Sequence, residues 1–157
     1  MKQPYDYIEM KIPAKPEFVG VIRLTLSGIA SRMGFSYDEI EDLKIATSEA
    51  CTNAVQHAYN NHENGEVVVG FGLYEDRLEV MVADSGQSFD FHTARQGLGP
   101  YEQNASVEFL REGGLGLYLI ETLMDEVRIH HQEGVTVFMT KYRDGEQVEI
   151  DAEIIST

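Results

Sequence analysis

At 157 residues the chain is long enough to bury one core and short of two ordinary domains, so a single domain spanning 1–157 is expected. Apolar residues make up 43% and are interleaved with charge, and no apolar run approaches the length of a membrane span, which argues for a folded, non-membrane protein. The formal net charge of −15, from 12 Lys and Arg against 27 Asp and Glu, repels a phosphate backbone and argues against direct nucleic-acid binding.

Met1, Lys2, Gln3 and Pro4 lead straight into Tyr5 with neither an apolar stretch nor a small-residue cleavage site, so a cytoplasmic location is expected. Tyr7 to Ile12 alternates as a strand with one buried face, and Pro13 with Pro16 closes it. Phe18, Val21, Ile22, Leu26, Ile29 and Met33 recur at helical spacing up to Gly34, a C-terminal stop signal. Ser36 followed by Glu39 has the capping-box pattern and opens a second helix to about Tyr59. The lone Cys51 in that helix excludes an internal disulfide, and its small apolar neighbours suggest plain packing.

Asn60 to Gly65 reads as a turn, followed by strands from Glu66 to Leu73 and from Arg77 to Ala83 that form a hairpin around Glu75 and Asp76. Periodicity fades from Gln87 to Glu112, and Gly97, Gly99, Pro100 and Asn104 mark a long mobile segment of the kind that serves as a lid. A third helix runs through Leu117, Ile120, Leu123 and Met124. Strands from Glu126 to His131 and from Val135 to Tyr142 follow, joined at Glu133 and Gly134, with an irregular acidic tail from about residue 144. This order implies an α/β sandwich, with a mixed, largely antiparallel sheet and helices packed on one face.

The second helix carries two parallel rows at a spacing of four residues. Ala46, Ala50, Ala54 and Ala58 offer a smooth surface that another layer can approach closely, and Glu49, Asn53 and His57 bring a carboxylate, an amide and an imidazole to one face. Taken alone, the polar row fits either a solvated helix face or a magnesium–nucleotide site. In the second case Asn53 lends its amide oxygen to the ion and Glu49 acts as general base one turn away.

Asp84, Ser85 and Gly86 end a strand where a carboxylate can accept a hydrogen bond from the exocyclic amine of adenine, although such a tripeptide is also a common turn. Gly113, Gly114, Leu115 and Gly116 precede a helix, where free N–H groups attract phosphate, or form a plain hinge. No lysine follows the last glycine, which excludes a Walker A loop. Thr136 stands where a hydroxyl could reach the adenine, or is there for its strand propensity.

The order and spacing of these segments resemble the ATPase superfamily of gyrase B, the heat-shock-90 chaperones, histidine kinases and MutL. Glu49 to His57 is similar to its N box, Asp84 to Gly86 to its G1 box, and Gly113 to Leu117 to its G2 box. Within it, Ser48 to Tyr59 and Gly114 to Asp125 most resemble the stand-alone anti-sigma-factor serine kinases of the sigma-B type. The resemblance implies a Bergerat-type ATP-binding fold, ATP and Mg2+ as cofactors, and transfer of the γ-phosphoryl group to a serine of an anti-anti-sigma protein. It also implies sequestration of a sigma factor and a homodimer.

Carried over by motif, Glu49 is the catalytic base, Asn53 the magnesium ligand and Asp84 the adenine reader assisted by Thr136, while Gly86, Gly114 and Gly116 shape the pocket. Arg23 falls on the surface shared by the two competing partners. Some relatives place a phosphate-facing arginine immediately before the G2 glycines; here Glu112 stands there, leaving Arg95 and Arg111 as the two candidates for the γ-phosphate. The rival reading is a non-catalytic, sigma-sequestering module with a structural nucleotide site.

Overall fold

The structure, a computed structural model, describes residues 5–61, 65–84, 116–131 and 134–143. Strand β1 (Asp6–Pro13) leads through a 3-10 turn (Pro16–Phe18) into helix α1 (Val19–Met33), with Pro16 at a position where no helical N–H is required. Gly34 ends α1 at φ 91°, a left-handed geometry that costs glycine little, and its N–H bonds back to Ala30 and Ser31. Arg143 from the far end of the chain donates to the Met33 carbonyl at 3.0 Å, placing a cation on the negative end of the helix dipole.

Helix α2 (Tyr37–Asn61) begins with the expected reciprocal cap. The Ser36 N–H donates to Glu39 Oε1 at 2.7 Å and the Glu39 N–H donates to Ser36 Oγ at 3.2 Å. Asp38 and Glu39 add negative charge to the first turn, where the dipole favours it.

Strands β2 (Glu66–Leu73) and β3 (Arg77–Ala83) form the hairpin expected around Glu75 and Asp76, closed by the Tyr74 N–H donating to the Arg77 carbonyl at 2.9 Å. Residues 116–123 form helix α3, and β4 (Glu126–His131) and β5 (Val135–Tyr142) complete the sheet. The strand order is β1-β2-β3-β5-β4, and the expected largely antiparallel sheet is antiparallel at each of these four pairings. The chain thus passes from β3 to the sheet edge at β4 and returns inward, so β5 lies between them. Lys141 on β5 ties the layers together, donating to the Leu123 carbonyl at 2.7 Å and meeting Asp42 Oδ2 at 3.4 Å.

The core lies between the three helices and one face of the sheet. Ile22, Leu26 and Ile29 of α1, Leu43 and Val55 of α2, and Leu117 and Ile120 of α3 pack with Val67, Val69, Phe71, Val80, Val82, Val137 and Met139. Strand alternation sends Val68, Met81 and Phe138 to the opposite face, where they too are buried. Glu79 is buried with its carboxylate 2.8 Å from Arg77, whose guanidinium lies 3.7 Å over the Tyr74 ring. Burial pushes the Cys51 thiol up to about 12, so it stays protonated and packs as a small apolar group. Among the described residues no helix is long and apolar enough to cross a membrane. The segments expected as lid (87–112) and acidic tail (from about 144) lie outside the described residues, as do residues 62–64 of the expected turn.

The cap at Ser36 orients the start of the helix that carries the polar row. Ser36→Ala removes one of its two bonds and is expected to cost about 1 kcal/mol, read as a fall of about 2–4 °C in thermal midpoint for a chain of this size. An unchanged midpoint would contradict the capping role.

Candidate active site

Along α2 the alanine row turns inward: Ala46, Ala50, Ala54 and Ala58 are all buried in the core cluster. Where the helix nears β2, a Cβ added to Gly65 would stand 2.9 Å from the Ala58 carbonyl oxygen, so only glycine permits that approach. The polar row, each member one residue before an alanine and so about 100° around the cylinder, is left half-buried at Glu49, Asn53 and His57. Asn53 Nδ2 is shielded from solvent and, among the described residues, has no hydrogen-bond partner, a costly state unless a further group meets the carboxamide.

Gly116 seats α3 directly on this row. A Cβ on it would come within 3.0 Å of Glu49 Oε2 and 3.3 Å of Asn53 Nδ2. Gly116 is not among the glycines with positive φ, so close approach rather than backbone conformation accounts for glycine at this place.

Asp84 follows the last residue of β3 and is bridged twice to β5. Its own N–H donates to the Val135 carbonyl at 3.2 Å, and the Val135 N–H donates to Asp84 Oδ1 at 2.9 Å. The carboxylate is almost fully buried, at 4% side-chain exposure. Its second oxygen, Oδ2, meets Nδ1 of His57, an ion pair whenever the imidazole is protonated. The third member of the polar row therefore reaches across to the end of β3. Thr136 sits beside Val135, half-buried and in register with Ala83, which puts its strand position next to the Asp84 bridge.

Glu49, Asn53, Gly116, His57, Asp84 and Thr136 thus occupy one neighbourhood built from α2, α3, β3 and β5. Gly86, Gly114, Arg95 and Arg111 lie outside the described residues. Arg23 stands apart, exposed on α1 beside the exposed Val21 and Leu24, with its Nε donating to Ser48 Oγ at 2.9 Å. Two contacts have no counterpart in the sequence reading: His57 with Asp84, and Arg23 with the residue immediately before Glu49. The helical row signalled where His57 points, but spacing along one helix carries no information about which strand end lies opposite.

A family profile described as a histidine kinase-like ATPase domain matches residues 12–141, nearly the whole span from β1 to β5. The serine-protein kinase RsbW of Bacillus subtilis strain 168 is 68% identical over 154 residues, covering 98% of this chain and 96% of that protein. The RsbW proteins of Oceanobacillus iheyensis and Bacillus cereus strain ATCC 10987 are each 62% identical, over 98% and 100% of this chain and 97% and 98% of theirs. A crystal structure of the RsbU and RsbW domains of a Mycobacterium tuberculosis protein shares the fold, with a TM-score of 0.61 at 24% identity over 88% of this chain and 32% of that longer one. With a matching family profile and relatives aligned from end to end, the chain belongs to the RsbW serine-protein kinases and is an ATP-dependent protein-serine kinase built on a histidine kinase-like ATPase domain.

Proposed function

We propose that the α2 polar row and the β3 end form the magnesium–ATP site of a partner-switching kinase. In this reading the kinase phosphorylates a serine of an anti-anti-sigma protein in the cytoplasm and, when that protein is released, holds a sigma-B-type sigma factor away from RNA polymerase. The observation that carries the reading is the seating of Gly116 on Glu49 and Asn53, since it brings a glycine backbone against an acid and an amide one helical turn apart.

Asp84 accepts from the adenine amine, with Thr136 beside it, and Gly86 and Gly114 complete the pocket walls. Asn53 fits a metal ligand because, among the described residues, its shielded Nδ2 has no partner, so the carboxamide can turn its oxygen toward an ion. Among the described residues no three His, Cys, Asp or Glu side chains converge as a metal site, so phosphate and water would supply the other ligands. Magnesium, when bound, offsets the phosphate charge that grows in the transition state. Glu49, held beside the amide, accepts the proton of the attacking serine, and Arg95 or Arg111 meets the γ-phosphate.

Arg23, exposed on α1 and resting against Ser48, lies on the surface that the two competing partners share. The kinase works as a homodimer, each chain a single domain with a lid at 87–112 and an irregular tail from about 144.

Glu49→Gln keeps the side-chain shape and is expected to leave ATP affinity within a few-fold while serine phosphorylation falls by about 10²–10⁴-fold. A radiolabelled-ATP transfer assay with the anti-anti-sigma substrate measures this, and full transfer would remove Glu49 from the role of base.

Gly116→Ala separates stability from chemistry. Alanine favours a helix over glycine by up to about 1 kcal/mol, and the atoms it meets are the ends of flexible side chains, so the fold should hold or gain. Displacing Glu49 and Asn53 is expected to reduce phosphoryl transfer by about 10²-fold. A variant as active as the parent would show that the close approach has no catalytic meaning.

Arg23→Ala is expected to weaken binding of both the sigma factor and the anti-anti-sigma protein by about tenfold or more, with ATP affinity unchanged in equilibrium titrations. Loss of one partner alone would refute a shared surface.

A further inference from the structure

We infer that His57 is a positioning residue for adenine recognition, acting through Asp84 rather than on the phosphates. The inference rests on the reading of Asp84 as the adenine reader and adds to it a residue that sets base specificity.

The Asp84 carboxylate is met from two directions. The Val135 N–H donates to Oδ1 at 2.9 Å, and the His57 ring packs Nδ1 against Oδ2 as a close charge contact without hydrogen-bond alignment. The Asp84 N–H in turn donates to the Val135 carbonyl at 3.2 Å, which fixes the backbone from which the side chain projects. With 4% exposure the carboxylate has little water to replace either partner, whereas the His57 side chain is 32% exposed and links this buried end to the surface. His57 is also rooted on α2, four residues after Asn53, so the helix that presents the metal-side amide also sets the orientation of the base-reading acid.

A carboxylate oxygen has two lone pairs, so an oxygen that meets imidazole can still accept from an amine. Adenine offers an amine donor at its 6-position, whereas guanine offers a carbonyl acceptor there, which an ionised and fixed carboxylate repels. Discrimination between the two bases therefore depends on the carboxylate being unable to turn away. Without His57, Oδ2 loses its lateral partner and the group can rotate or admit water. Adenine then binds more weakly, and guanine is rejected less.

The test uses the full chain and measures serine phosphorylation with ATP and with GTP, alongside thermal unfolding. His57→Ala is expected to raise KM for ATP about tenfold, to leave kcat within about threefold, and to lower the ATP-over-GTP ratio of kcat/KM by a similar tenfold factor. His57→Asn places an amide N–H near the position of Nδ1 and should recover most of that ratio. In an Asp84→Asn background, His57→Ala should change the ratio by less than about twofold, since its effect passes through Asp84. If His57→Ala lowers kcat with KM for ATP and the ratio unchanged, or if the two substitutions act additively, His57 works at the phosphates and the inference fails. If Asp84→Asn alone leaves the ratio untouched, the adenine assignment itself is wrong and takes the inference with it. A variant that loses activity only in proportion to its fall in thermal midpoint, with the ratio intact, also overturns the positioning role.

Discussion

The row Ala46, Ala50, Ala54 and Ala58 seats α2 directly on the sheet, because a methyl group lets the helix approach where a longer side chain would hold it away. The parallel row of Glu49, Asn53 and His57 inherits its position from that seating. A helix standing further from the sheet would carry His57 away from the end of β3, and α3 could not bring Gly116 onto the acid and the amide. The four-residue period therefore has two consequences at once. One row commits the helix to the core, and the neighbouring row is held at the mouth of the layer with little freedom to relax.

Local pattern made most of this architecture legible. The capping box at Ser36 and the left-handed stop at Gly34 each have a mechanism confined to a few neighbouring residues, and each stands where that mechanism puts it. The alternation in β1 places the strand, but the strand runs through Pro13 and buries only Ile12, with Ile8 left exposed at the sheet edge. The short turn at Glu75 and Asp76 likewise forces its flanking strands to pair. The insertion of β5 between β3 and β4 has no such local cause, since an apolar run reads the same at a sheet edge and inside it. The same limit applies to the site. Membership of the polar row could be read from spacing, but that His57 answers Asp84, and that Gly116 rests on Glu49, depends on how α2, β3 and α3 meet.

A chain with formal charge −15 binds a polyanionic nucleotide only if local fields oppose the global one. In the proposed site the seated row reconciles these demands through neutral groups. Asn53 contributes an uncharged carboxamide and Gly116 contributes backbone without a side chain, so among the described residues at that contact the carboxylate is that of Glu49. At the other end, Asp84 has its charge turned into a fixed feature by the Val135 N–H and the His57 ring. The two acids thus stand in different surroundings, Glu49 half-buried on α2 and Asp84 buried at the end of β3.

Arg23 extends the same logic from nucleotide to partner. Its hydrogen bond to Ser48 ends one residue before Glu49, so successive residues of α2 hold the exposed face of α1 on one side and the Gly116 contact on the other. On the proposed roles, a protein docked at Arg23 would draw on the guanidinium that rests against Ser48. Exchange of that bond for one to the partner would alter the packing of α1 on the helical turn that carries Glu49. The proposed binding residue and the proposed base would then share a turn, the arrangement a switch needs if occupancy of one surface is to be felt at the other.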